Sequence, residues 1–313
     1  MGRWGALVLG VVLLTACGND VEEAASDNDG DLDESTEPSV EQEANEEEEN
    51  PNEENDEFEE NGEDTDLAVK ELVGEEYASA TTKEEQYVQA GTFTGGEMTD
   101  GRVVGNIDYG IHDEYERLVF DIYEGVYDEI EDPVDIPNDF EVTKETYPSR
   151  LVYTLSGIRG QPADVPDLSN MNLFSQMETV PYFDDASIQY AVYVQEAIEF
   201  EIFEMHNPAK IVTDVRPMET EEEYATVFSL RTASIPEGET VEDIQRAETD
   251  FREMGGEQVR ILHAEDSSVF VEEGYYVTFE EAEERKNELE DDGFDMGLHI
   301  EERGVYDMPE AIQ

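Results

Sequence analysis

The chain has 313 residues, of which 84 are acidic and 17 basic, for a formal net charge of -67. A charge of that size excludes nucleic-acid binding through phosphate contacts, because the protein repels the backbone. A single cysteine in the whole chain excludes a disulfide framework and a cysteine-based metal site, and the length accommodates two modest domains with additional segments.

The first element is an apolar run from Trp4 to Leu14 behind Arg3. It falls well short of the roughly 20 residues a membrane-spanning helix needs, so it is expected to be an export signal. Leu14-Thr15-Ala16-Cys17 follows it and resembles a bacterial lipobox. The resemblance implies a lipoprotein signal peptide over residues 1–16, cleavage before Cys17 and lipidation of its thiol. The mature chain is then extracytoplasmic and held to the membrane by lipid. The alternative is a cleaved soluble signal, or a buried apolar strand, with a stray cysteine.

Residues 17–85 are expected to form a lipid-anchored acidic tether. From Gly18 to Asp66 the sequence is mostly Asp, Glu, Asn and Ser and holds no Lys or Arg, so it lacks the apolar surface to offset ordering entropy and is expected to be disordered. A flexible coil of that length spans about 40 Å and reaches roughly 160 Å when extended.

Residues 86–218 are expected to be a mainly-β sandwich or barrel. Strand patterns occur at Arg102–Gly105, Tyr115–Tyr123, Arg150–Leu155, Ile188–Val194, Ile198–Met205 and Lys210–Val215. Asp132-Pro133, Pro137-Asn138, Gly157, Pro166 and Asn207-Pro208 punctuate them. The acidity continues here, but runs such as Arg117–Phe120 and Ala209–Val212 argue for a folded, halophilic protein whose self-repulsion is screened by salt.

Glu219–Glu223 is expected to be a hinge. Beyond it the pattern becomes strand, helix, strand, strand, helix, strand over residues 224–304. Val227–Ile235 is a strand, and Val241–Met254 is an amphipathic helix stopped by Gly255-Gly256. Strands Val259–His263 and Val269–Val271 flank an Asp266-Ser267-Ser268 turn. Thr278, with Glu281 three residues on, caps a helix that runs to Leu289, and Phe294–Ile300 is the last strand. Two helices on one face of a four-stranded sheet give a ferredoxin-like α+β unit.

Two resemblances lie on these segments. Leu230-Arg231-Thr232-Ala233-Ser234-Ile235 and Val271-Glu272-Glu273-Gly274-Tyr275-Tyr276, followed by Glu280-Glu281-Ala282, resemble the first and third strands of the SPOR domain. That resemblance implies binding of peptidoglycan glycan strands on the sheet face that the helices leave open. Period-two alternation turns Phe228, Leu230, Val269, Val271, Leu298 and Ile300 toward the helices and Ser229, Arg231, Phe270, Glu272 and His299 toward that open face. An aromatic ring, a guanidinium and small hydroxyls suit a neutral sugar chain. The competing reading pairs Arg231 with Glu272 across strands on an idle face.

His112-Asp113-Glu114-Tyr115-Glu116-Arg117-Leu118-Val119-Phe120-Asp121 and Asn207–Val215 resemble the opening and closing motifs of AMIN-like domains of envelope lipoproteins. The resemblance implies a β-sandwich associated with envelope targeting. His112, Tyr115 and Arg117 are then a surface that meets wall polymer or a partner. The favoured alternative is a structural corner in which Arg117 pairs with Asp214 or Glu116 and His112 caps a turn.

His112, His206, His263 and His299 lie in no HExxH pattern, and the chain has no Gly-x-Ser-x-Gly elbow and no nucleotide loop. The expectation is a non-catalytic envelope lipoprotein with no cofactor and no metal. It docks or localises at the cell wall through peptidoglycan, and its lipid holds it to the membrane. A protein–protein adaptor of the envelope is the alternative, and a wall hydrolase a third reading.

Overall fold

The computed structural model describes residues 74–313 apart from 182–183, 185, 221–223 and 237–240. The export signal, Cys17 and the acidic tether up to residue 73 lie outside the described residues. Among the described residues no helix is long and apolar enough to cross a membrane. The described chain is mostly β, with two helices.

Folded structure begins before residue 86, with a strand at Glu75–Ala78 (β1). Then follow β2 (Gly91–Gly95), β3 (Arg102–Ile111), β4 (Glu116–Val126), β5 (Glu129–Pro133) and β6 (Phe140–Glu145). β7 (Arg150–Ser156), β8 (Ile158–Gly160), β9 (Phe174–Val180), β10 (Ser187–Val194), β11 (Ile198–Met205) and β12 (Lys210–Pro217) complete the first part. One sheet has the order β1-β2-β6-β7-β10-β9 and the other β11-β12-β4-β3-β8, with β5 pairing on β4. Alternation decides which side chains meet between them. Leu118, Phe120 and Ile122 of β4 join Phe200 and Ile202 of β11 and Ile211 and Val215 of β12, facing Tyr153, Leu155, Tyr190 and Val192. The Phe120 ring lies 4.9 Å from Tyr153 and 5.4 Å from Tyr190, so it bridges the sheets. Each such buried ring is worth about 1.5–3 kcal/mol of transfer free energy. The turn at Gly157 needs glycine: its φ is +75°, and a Cβ there would stand 2.0 Å from the Thr99 carbonyl oxygen.

The second part has β13 (Val227–Thr232), α1 (Val241–Glu253), β14 (Arg260–His263), β15 (Val269–Tyr276), α2 (Phe279–Asp292) and β16 (Leu298–Arg303). Its sheet is antiparallel with order β14-β15-β13-β16, the split βαβ order of a ferredoxin-like unit. Both helices lie on one face: Ile244 and Phe251 of α1 and Leu289 of α2 pack on Leu230, Ile261, Val271 and Leu298. The capping box forms as the sequence predicts. Glu281 N–H donates to Thr278 Oγ1 at 3.3 Å and Thr278 N–H to Glu281 Oε2 at 3.1 Å, and Gly293 ends α2 with φ 99°. The last strand starts later than expected because Phe294 is drawn onto Phe251, with ring centroids 4.4 Å apart.

The described residues, from 74 on, belong to one compact unit, so the two parts pack directly on each other. Val180, Ala191 and Tyr193 of the sandwich belong to the same apolar cluster as the helices. Arg150 Nη1 donates to Ile261 O at 3.1 Å, and His263 N–H donates to Tyr193 Oη at 2.9 Å. Residues beyond 304, expected to lie outside the second part, run back across its sheet.

Candidate functional site

The second face of the C-terminal sheet was expected to be open, and it is covered. Alternation places its residues on the expected side, but Ser229, Arg231, Phe270 and Glu272 are each 0 % exposed, and only His299 remains half-buried. Half of the cover is the sandwich. The β6–β7 turn presents the main-chain oxygens of Thr146 and Tyr147, which accept from Arg260 at 2.9 and 2.8 Å, and Tyr147 O also accepts from Arg303 Nη2 at 2.7 Å. The other half is the C-terminal segment. Pro309 O accepts from Glu265 N–H at 2.9 Å, Glu310 O from Arg231 Nη1 at 2.9 Å, and Ile312 O from Ser234 N–H at 2.7 Å. Ala311 closes an apolar slot of Leu262, Ala264 and Phe270.

Glu272 is the centre of this buried lock. Its Oε1 accepts from Ser229 Oγ and from Arg303 Nη2, each at 2.5 Å, and its Oε2 accepts from Arg260 Nε at 2.9 Å and from Arg260 Nη2. Burial pushes the Glu272 carboxyl up, but Arg260 and Arg303 outweigh it and hold the group below the usual carboxylate range. Arg231, register partner of Glu272, pairs instead with Glu301 Oε2 at 2.7 Å and lays its guanidinium 3.2 Å over the Phe270 ring. The cross-strand Arg231–Glu272 pair therefore does not form, and the face is not idle. Three of the chain's twelve arginines, Arg150, Arg260 and Arg303, bond across the junction of the two parts, and Arg231 is buried beneath the C-terminal segment.

The sandwich carries a different surface on the outside of its second sheet. Arg117 alternates outward from Leu118 and Phe120, and pairing of β4 with β12 sets it opposite Asp214. Its fork is bidentate, Nε to Oδ1 at 2.6 Å and Nη2 to Oδ2 at 2.8 Å, on a carboxylate that is fully buried. Lys83 adds a second cation to Asp214 at 2.8 Å. The segment after β1 brings it there by bridging Ala80 to Phe203 and Val88 to Phe200 along edge strand β11. Burial pulls the Lys83 amine down, but hydrogen bonds to Asp214 and Tyr87 prevail and raise it above its ordinary value.

Aromatic rings alternate with these cations. His112 is exposed and stacks on Tyr115 at 4.5 Å. Lys83 Nζ lies 3.6 Å from the Tyr115 centroid and 5.4 Å from that of Tyr87, and Arg216 lies 4.1 Å over Tyr87. So the structure brings His112, Tyr115 and Arg117 together, with Arg117 in the structural pair with Asp214. His112 N–H closes the turn on Tyr115 O at 2.9 Å, while its ring serves the stack. Glu116 points inward and holds the loop at Asn172 and Leu173 by accepting their main-chain N–H groups at 2.7 and 3.0 Å. Sequence reasoning missed Lys83, Tyr87 and Arg216. A lysine and a tyrosine closing an acidic stretch were the only signal for the first two.

One further pair was missed. Lys144 Nζ donates to Ser149 Oγ at 2.5 Å, and burial pushes the amine down to about 7. These are the elements of a serine–lysine nucleophile. The cavity beside them is about 10 Å³, the room of one water, so the pair closes the junction and faces no substrate space. Among the described residues no group of three or more His, Cys, Asp or Glu is arranged to hold a metal ion. No family model, no curated protein and no solved structure matches this chain.

Proposed function

We propose that the chain is a non-catalytic, lipid-anchored lipoprotein of the cell envelope, extracytoplasmic, whose folded head binds peptidoglycan glycan strands and docks at the wall. Its sandwich is AMIN-like and its C-terminal unit SPOR-like in this reading. The lipobox-like segment and the βαββαβ order support it. Because the second face of the C-terminal sheet is filled, the glycan contact is assigned to the sandwich.

The observation that carries the reading is the file His112–Tyr115–Lys83–Tyr87–Arg216 on one sheet face. The rings offer stacking surface, and the cations offer donors to hydroxyl and acetamido oxygens. The test is co-sedimentation of the full chain with purified sacculi at raised salt, which screens repulsion between an acidic protein and wall carboxylates. His112→Ala with Arg216→Ala is expected to weaken sedimentation about tenfold through two lost contacts. A folded chain that stays in the supernatant at every salt concentration refutes the reading.

An adaptor role has its own observation. The β4–β5 hairpin tip exposes Val126, Tyr127 and Ile130, with Tyr127 78 % exposed, a surface suited to a protein partner. A protein that remains bound after glycan digestion favours this second reading.

A further inference from the structure

Where the sandwich meets α1 and β14 lies a cleft of about 410 Å³, within the size range of small-molecule sites. Its floor is aliphatic, from Val152, Val259 and Ile261. Its walls carry three guanidiniums, Arg150, Arg252 and Arg260, and three carboxylates, Glu145, Asp184 and Glu248, with the Gln189 carboxamide between them. Three cations against three anions is a local balance in a chain with 84 acidic and 17 basic residues.

The polar groups are held in place from behind. Arg150 has a side chain 3 % exposed; its Nε donates to Glu145 Oε2 at 2.9 Å and its Nη1 to Ile261 O at 3.1 Å, and its Nη2 stands in an ion pair 2.8 Å from the same Glu145 oxygen. Those two bonds use two of the five N–H donors a guanidinium has. Arg260 is committed to Glu272, Glu145 and the Thr146 and Tyr147 carbonyls, so it fixes Glu145 from the far side. From the opposite wall Arg252 Nη2 donates to Glu248 Oε1 at 2.8 Å and to the Val259 main-chain oxygen at 3.5 Å, and both side chains line the cleft.

We infer that this cleft is a subsite for a neutral N-acetylated sugar, a reading that rests on the proposed glycan binding and places a second contact at the junction of the two parts. A hydroxyl donates and accepts at once, so adjacent hydroxyls match a wall where guanidiniums and carboxylates alternate. The acetamido methyl and the apolar sugar face match the aliphatic floor. An anion would compete with carboxylates already paired to the arginines, and a cation would meet the arginines themselves. A planar base would find no aromatic ring in the lining.

The test is calorimetric titration of the full chain with N,N′-diacetylchitobiose, beside glucuronate as an acidic arm. Saturable binding of the neutral disaccharide is expected, weakened about tenfold or more in Glu248→Gln/Arg252→Gln, since each change removes bonds to a charged group. Arg246→Gln, on the same helix but outside the cleft, is expected to leave it unchanged. Disaccharide binding that is absent, or untouched by the double variant, overturns the inference, and so does tighter binding of glucuronate. Co-sedimentation with sacculi separates the two readings. A chain that binds sacculi but not the disaccharide refutes the cleft alone, and one that binds neither refutes both.

Discussion

The outer face of the sandwich and the second face of the C-terminal sheet are made of similar parts: arginines, carboxylates and aromatic rings on alternating strand positions. They end in opposite states. On the sandwich, Arg117 and Lys83 share the buried Asp214 while His112 and Arg216 remain at the surface. On the C-terminal sheet, Arg231, Arg303 and Glu272 are sealed beneath the β6–β7 turn and the chain's last residues. The difference lies in what arrives from elsewhere in the chain. A sheet face with cations and rings is a ligand surface only when no other segment takes its hydrogen bonds first.

The largest effect is expected at the centre of the sealed face. Glu272→Ala leaves Arg260 and Arg303 buried without their shared carboxylate, and removing one partner of a buried ion pair costs about 3–5 kcal/mol. Denaturant titration checks this. A variant as stable as the parent would mean that Glu145, Glu301 and the Thr146 and Tyr147 carbonyls suffice to hold the arginines and that the comparison between the faces fails.

His263 gives the next effect, at the same junction. Burial, aided by nearby Arg150 and opposed by a bond to the Thr179 main chain, lowers its imidazole from 6.5 to about 4. Between those values the unfolded chain takes up a proton that the folded chain refuses. Stability is therefore lost as pH falls from about 6.5 to about 4, by about 3 kcal/mol in all. His263→Gln should flatten that part of the stability–pH curve relative to the parent. Parallel curves would show that the imidazole is already hydrated.

Deleting residues 308–313 sharpens the comparison from the tail side. It removes Glu310 O from Arg231, Glu310 N–H from Glu301 and the Ile312–Ser234 pairing, and opens the slot over Phe270. The expected cost is about 2 kcal/mol, since bonds to charged groups are worth more than neutral ones. Calorimetry of the truncated chain reads it, and an unchanged melting temperature would mean that the tail only rests on the sheet.

Much of this architecture is legible in the residues. Ile198–Met205 is a strand from end to end, the Thr278–Glu281 box caps its helix, and alternation assigns Leu230 and Val271 to the helices and Arg231 and Glu272 to the other side. What alternation cannot supply is exposure. The cover comes from Tyr147, 156 positions before Arg303, and from Glu310, 79 positions after Arg231. Strands with weak local signals were also missed. All five β5 residues are exposed, β8 has three residues, and β9 buries Phe174, Met177 and Val180 at every third position instead of every second. β6 alternates cleanly, but its inward Lys144 disguises it as a surface segment.

The smallest change in stability is expected on the sandwich face, where it is the most informative. His112 touches the fold chiefly through Tyr115, and Arg216 pairs with Glu199 in partial exposure, 45 % for its side chain. Exposed pairs of this kind contribute about 0–1 kcal/mol, so His112→Ala and Arg216→Ala should unfold close to the parent while sedimenting less with sacculi. Salt should separate the two contributions. Added salt weakens the Arg216–Glu199 pair slightly but strengthens approach to an anionic wall, because it screens a protein with a net charge of -67. Binding that rises with salt and falls with these two side chains marks the face as a glycan surface. Binding that falls steeply with salt would mean that simple cation–carboxylate attraction holds the wall, and that the rings beside the cations are packing, as they are on the sealed face.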